Sequence, residues 1–339
     1  MEGLVGLGGR WVGRLPIVGG IPYNEPYFLG RVMWEAFMQG ASVQIQTVIY
    51  GMDRQSLRRS LDSIANAVRI DREGPQTLGE LVVVHGDASP VRTFDEADVK
   101  RLQDEYRPWF TYVYTYFNEN TGTSRGHNRM FEECTSTYVV VQNPDIQYSP
   151  RFFERMLGPF ERTDFLVGLV EARQTPIEHP KTYDPVTKLT DWSTGACIMI
   201  CSEVFRKVGG FDAESFFLYC DDVDLSWRIR LAGYSLVYQP LVPVYHPKHL
   251  SPEGHWQPTE AEVYYSALAR LYMLHKWSYE QKCRELSNAY MQGDDPVARR
   301  AAQEFEECRA MGRLPVPLDA SHRIADINDE GYAHVRFAV

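Results

Sequence analysis

From residue 43 the chain alternates β-branched runs with segments of helical period. "VQIQTVIY" (43–50) reads as a strand. The stretch that follows, "DRQSLRRSLDSIANAVRI", places Leu57, Leu61, Ile64, Ala65 and Val68 on one helical face. "LVVVHG" (81–86) puts four apolar residues in succession, the pattern of a strand covered on both faces. Further strands are expected at "WFTYVYTYF" (109–117), "YVVVQ" (138–142) and "FLVGLV" (165–170). Helices are expected at "FDEADVKRLQDEY", "GHNRMFEECTS" and "SPRFFERMLGPF". This β-α-β-α order predicts an α/β fold with an open, mostly parallel central sheet flanked by helices. After about residue 258 long amphipathic stretches take over, among them "SALARLYMLHKW" and "DPVARRAAQEFEECRAMG". The expected division is an N-terminal arm (1–40), an α/β catalytic body (41–257) and a helical C-terminal region with a tail (258–339).

Composition narrows the function. The chain has 339 residues with 35 basic and 45 acidic side chains, so its net charge is 35 − 45 = −10. No general basic field is available, which argues against nucleic acid as a partner. An anionic ligand must then be met by a metal, a few Arg or Lys, or backbone N–H groups. The six cysteines form no CxxC pair and sit mostly in apolar context, as expected of reduced thiols in a cytoplasmic protein. No apolar run approaches ~18 residues, the length a bilayer span requires. Glu2, Arg10, Arg14 and several glycines interrupt any signal-peptide core near the start.

In open α/β sheets ligands bind at the carboxyl ends of the strands. "YGMDR", "HGDAS" and "NPD" (143–145) fall there, as does the stretch from Phe216 to Pro247. "NPD" has the composition of a turn. It also offers Asp145, an oxygen ligand for a hard divalent cation. "CDDVDLSWRIRLAG" begins a helix with three acids, where one carboxylate suffices for a cap. Asp221 or Asp224 is expected to anchor the turn, leaving Asp222 to face the ligand, and a helix N-terminus keeps a carboxylate ionised as a general base requires. Arg228 is expected to pair internally with an acid. His246, in "YHP", is a candidate second ligand beside Asp145.

"GAC" (195–197), "VGGFDAESFFLYCDDVDLSWRIRLAGY" (208–234) and "YHP" together resemble inverting family 2 glycosyltransferases of the rhamnosyl- and galactofuranosyltransferase-like branch. "VQIQTVIYGMDRQSLRRSLDSI" and "NTGTSRGHNRMFEECTSTYVVVQNPDIQYSP" agree in order and spacing, so the resemblance covers about residues 43–250. It implies a GT-A fold, a nucleotide-diphosphate sugar donor (UDP-, dTDP- or GDP-linked) and Mg²⁺ or Mn²⁺. It implies Asp222 as catalytic base, with Asp145 and His246 at the metal. Tyr50, Asp87, Arg125, Asn128 and Asn143 are expected at the donor. Trp192, Gly195, Ala196 and Asp221 are expected at the sugar or acceptor. In "VHGDASP" the acid stands one place later than the family's usual Val-Asp-Asn motif places it.

The acceptor is left open among a glycan, a lipid-linked molecule and a small molecule. A nucleotidyltransferase on a related sheet and an inactive nucleotide-sugar-binding module are the rival readings. The first lacks a basic glycine loop in "YGMDRQS". The second has to explain complete acidic motifs. "SALARLYMLHKW" offers peripheral membrane contact, against packing on the body or on a second subunit as a homo-oligomer. The 246–257 loop is a candidate lid.

Overall fold

The computed structural model describes residues 40–178, 181–247 and 258–328. The expected N-terminal arm and nearly all of the expected lid lie outside the described residues. Strand β1 (Ala41–Ile49) occupies the middle of the first half of the sheet. It leads through Asp53 into helix α1 (Arg54–Glu73), where the Asp53 side chain caps by accepting from the Ser56 N–H at 2.8 Å. The helix buries Leu57, Leu61, Ile64, Ala65 and Val68, the face that the sequence period selects.

Strands β2 (Leu78–Asp87), β3 (Thr111–Tyr116) and β4 (Tyr138–Gln142) pair parallel around β1. Helices α2 (Glu96–Tyr106) and α3 (Gly122–Phe131) provide the crossovers. Strand β5 (Gln147–Tyr148) and helix α4 (Phe152–Leu157) follow. The second half of the sheet mixes directions. Strand β6 (Val167–Thr175) and β9 (Ser235–Tyr245) run parallel to each other. Between β4 and β6 lies β8 (Cys197–Cys201), antiparallel to both, while the two-residue β7 (Leu189–Thr190) pairs with β9. Because β8 runs backwards, residues 195–197 arrive where β1, β4, β6 and β9 end. The expected site residues Asn143, Asp145, Gly195, Ala196 and His246 gather at that edge.

A short helix α5 (Ser202–Lys207) precedes α6 (Asp221–Leu231), the helix that carries the acids. The C-terminal region folds as α7 (Glu260–Lys276), α8 (Glu280–Gln292) and α9 (Pro296–Ala310). Leu268, Leu271 and Met273 of α7 enter one apolar cluster with Trp192, Phe216, Val223 and Trp227 of the catalytic body. Trp227 and Trp277 meet edge to face at 5.1 Å. The apolar face of "SALARLYMLHKW" is therefore packed on the body. Among the described residues no helix is long and apolar enough to cross a membrane.

Candidate active site

The three acids at the start of α6 face three different partners. Asp221 Oδ2 accepts from the hydroxyls of Thr123 (2.9 Å) and Ser124 (3.0 Å), at the first turn of α3. Asp222 Oδ2 accepts from the Gly195 N–H at 2.6 Å, and its Oδ1 from the Val223 N–H at 2.8 Å. Asp224, with no exposed surface, accepts from Arg228 Nε and Lys276 Nζ, each at 2.7 Å, and from Trp277 Nε1 at 3.1 Å. The Arg228 pairing is the one expected. Neither Asp221 nor Asp224 caps the helix as expected: Cys220 is the N-cap and makes no side-chain cap bond. Tertiary partners have taken both carboxylates.

Tyr219 and Cys220, just before α6, both adopt left-handed backbone (φ 70° and 58°). Such conformations cost non-glycine residues on the order of 1–3 kcal/mol each and persist where surroundings impose them. Here the Tyr219 hydroxyl donates to Glu262 at 3.0 Å, and Phe217 stacks on Tyr265 at 4.6 Å. Helix α7 thus holds the loop that aims Asp222.

Electrostatics separates the two leading acids from ordinary carboxylates. Burial, then the charge of Asp222, pushes Asp221 up to about 7. Burial also raises Asp222, against the Gly195 and Val223 N–H groups and the Lys181 charge, which favour its ionised form. A carboxylate poised towards neutrality is suited to accept a proton.

The cation candidates also meet. Asp145 Oδ1 stands 3.6 Å from His246 Nε2, and the Asn143 side-chain amide is 3.2 Å from the same nitrogen. Asn143 N–H donates to the Ala196 carbonyl at 3.0 Å. The dipeptide Gly195–Ala196 therefore holds Asp222 on one side and the Asn143–Asp145–His246 group on the other. Its glycine also makes room: a Cβ at 195 would lie 3.3 Å from the Asp222 Cβ. Asp145 oxygen and His246 nitrogen form a donor set that suits a divalent cation such as Mn²⁺. Among the described residues no group of three or more His, Cys, Asp or Glu could hold a metal.

Several expected contacts are placed elsewhere. Asp87 is fully buried, and it accepts from the N–H groups of Ser89 (2.9 Å) and Thr93 (2.7 Å) and from the Tyr114 hydroxyl. Burial works to raise its pKa, but these bonds together outweigh it and leave the carboxyl below its usual range. It shapes the loop after β2 rather than facing a ligand. Asn128 pins Phe211 through both amide ends, donating at 2.7 Å and accepting at 2.9 Å, so it is not turned to a donor. Trp192 is 5% exposed in the cluster shared with α7 and forms no open wall. Arg125 is half exposed and 3.4 Å from Glu214. Tyr50 stands 52% exposed at the end of β1, where a planar ligand can reach it. Sequence reasoning missed Glu171, Gln174, Lys181 and Thr194, all buried beneath His246. The one visible signal was a glutamate continuing an apolar strand.

Residues 47–209 match the model of glycosyl transferase family 2. The chain carries a family 2 glycosyltransferase domain. The match ends ahead of α6, so Asp222 and His246 lie beyond it. An N-acetylglucosaminyl-diphospho-decaprenol L-rhamnosyltransferase of Mycobacterium tuberculosis is 29% identical over 151 residues, covering 34% of this chain and 49% of that protein. The rhamnosyltransferase WbbL of Escherichia coli is 29% identical over 127 residues, 37% of this chain and 44% of its own length. The chain thus spans about half the length of these curated relatives. The structure of GalNAc-T7 with UDP, GalNAc and Mn²⁺ superposes with a TM-score of 0.55 at 13% identity, over 82% of this chain and 58% of that one. At that identity the likeness concerns fold, and the fold of this domain is GT-A.

Proposed function

We propose that this glycosyltransferase moves a sugar from a nucleoside-diphosphate donor to an acceptor hydroxyl with inversion, assisted by a divalent cation. The observation that carries the reading is the Gly195–Ala196 dipeptide, which joins Asp222 to Asn143, Asp145 and His246. Asp222 is the base. It takes the acceptor's hydroxyl proton as the acceptor oxygen bonds to the anomeric carbon, and the bond from that carbon to the diphosphate breaks with its electron pair leaving on phosphate. The Gly195 and Val223 N–H groups hold the carboxylate in place for that transfer.

Asp145 and His246 would hold the cation, with Asn143 beside them. When bound, a divalent cation neutralises charge that develops on a departing diphosphate. In a chain of net charge −10 such help has to be local. Tyr50, exposed at the end of β1, is suited to lie against the nucleoside base. The two curated relatives described above are rhamnosyltransferases, one of them named for a diphospho-decaprenol acceptor, which favours a deoxyhexose donor and a lipid-linked acceptor as the first pair to try.

The test is a panel of UDP-, dTDP- and GDP-sugars with Mn²⁺ or Mg²⁺, scored for nucleoside diphosphate release and for the anomeric configuration of the product by NMR. Release that stops on chelation, returns with Mn²⁺ and yields inverted product supports the reading. Pyrophosphate release from a sugar phosphate and a nucleoside triphosphate, or a retained configuration, overturns it.

A further inference from the structure

A buried polar chain runs beneath the site from Lys181 to His246. Lys181, 1% exposed, donates through Nζ to Glu171 Oε2 and to the Trp192 carbonyl at 2.9 Å. Glu171, 2% exposed, uses Oε1 to accept the Thr194 hydroxyl at 2.9 Å. Thr194 Oγ1 in turn accepts from Gln174 Nε2 at 2.7 Å, and Gln174 Oε1 lies 2.9 Å from His246 Nδ1. None of the five residues is more than 9% exposed.

Donor and acceptor capacities fix the direction of every link. A carboxylate paired with an ammonium only accepts. The single proton of Thr194 therefore points to Glu171, and its oxygen is left as an acceptor. Gln174 must turn its NH₂ to that oxygen and its carbonyl to His246. The neutral imidazole then carries its proton on Nδ1 and its lone pair on Nε2. The far side of the ring agrees: the Asn143 amide nitrogen donates towards Nε2 from 3.2 Å. Asp145 Oδ1 stands 3.6 Å from the same nitrogen, so a cation that took the place of the Asn143 amide would meet both acceptors.

We propose that Glu171, acting through Thr194 and Gln174, is a positioning residue that fixes His246 in its Nδ1-protonated tautomer. The role of that lone pair rests on reading Asp145 and His246 as cation ligands; the tautomer itself does not. Partners of this kind orient a histidine ligand, and their loss costs about 10–100-fold in metal affinity.

The experiment uses the full metal-free chain with ¹⁵N-labelled histidine, at a pH where imidazoles are neutral, and His246 is assigned by the signals lost in His246→Gln. Wild type should show the proton on Nδ1. Thr194→Val should give mixed tautomers and weaken Mn²⁺ binding about tenfold or more, and Thr194→Ser should restore both. A wild-type proton on Nε2 overturns the proposal, and so does a Thr194→Val protein that keeps the wild-type tautomer. The wild-type spectrum alone decides the point if the valine variant does not fold. A correct tautomer in a chain that binds no Mn²⁺ supports the relay and overturns the cation reading separately.

Discussion

The backbone N–H of Gly195 donates to Oδ2 of Asp222 across 2.6 Å, and a side chain at 195 would crowd the Asp222 Cβ. A Cβ at 195 would lie 3.3 Å from the Asp222 Cβ, so one of the two must give by a few tenths of an ångström, while its 3.6 Å to Oδ2 is ordinary contact. Misplacing a reacting group by about 1 Å can cost on the order of 100-fold in rate. The shift needed here is a few tenths of an ångström, so Gly195→Ala should lower kcat by less than that factor while KM for the donor changes little. Steady-state kinetics checks this, and an alanine variant with wild-type kcat would show that Gly195 does not aim the carboxylate.

Asp222→Asn keeps an acceptor for the Gly195 N–H, gives up the one for the Val223 N–H, and removes the proton-accepting charge. General-base catalysis is worth about 10²–10⁴-fold. Transfer should fall within that range while donor and Mn²⁺ bind as in wild type by calorimetry. Asp145→Asn should do the reverse, weakening Mn²⁺ binding first. If both variants lost donor binding equally, the division of labour between the two aspartates would be wrong.

Asp221 sets a pH dependence of stability. Its pKa is pushed from 3.8 up to about 7, by burial first and then by the charge of Asp222. The folded chain thus binds this proton more tightly than the unfolded chain does. The stabilisation is complete below the unfolded pKa and is lost as pH rises through about 7. Asp221→Asn preserves an acceptor for Thr123 and Ser124 and cannot ionise. The Tm of the variant relative to wild type should climb by a few degrees between about pH 5 and pH 8. Parallel Tm profiles would show that Asp221 stays ionised throughout.

Much of this was legible in the chain because local pattern and tertiary demand agreed. The strand at 138–142 and the α1 face of Leu57, Leu61 and Ile64 appear as their periodicity requires. Strand direction was less legible. Whether β8 runs with or against β4 depends on how the chain returns from β7, and no residue pattern encodes that. The expected strand at 165–170 ended where an acid interrupts the apolar run. The observed β6 continues through Glu171 because Lys181, ten residues on, pairs with it in the interior. The acids of α6 were seen as a group, but their separate destinations in Thr123, Gly195 and Lys276 belong to distant segments. Asp87 and Asn128 had the side chains of ligand contacts and were taken up by the loops they organise.

The C-terminal helices are the remaining determinant of where Asp222 stands. Lys276, 4% exposed, bridges Asp224 and Asp212 at 2.7 Å each, and Trp277 adds a hydrogen bond to Asp224 and an edge contact to Trp227. Removing one partner of a buried ion pair costs about 3–5 kcal/mol, because the remaining charge stays in the interior. Asp224 keeps Arg228, so Lys276→Met should lower stability by at most about that amount, read as a shift in the urea midpoint with unchanged slope. The variant should also lose activity under conditions where it is still folded, since α6 carries both Asp224 and Asp222. Pairing Lys276→Met with Asp212→Asn removes the carboxylate left without its ammonium and should recover part of the stability, giving a favourable coupling in the double-mutant cycle. A Lys276→Met protein within about 1 kcal/mol of wild type and fully active would mean that α6 is held by the sheet alone. The C-terminal helices would then have to be explained by some other use.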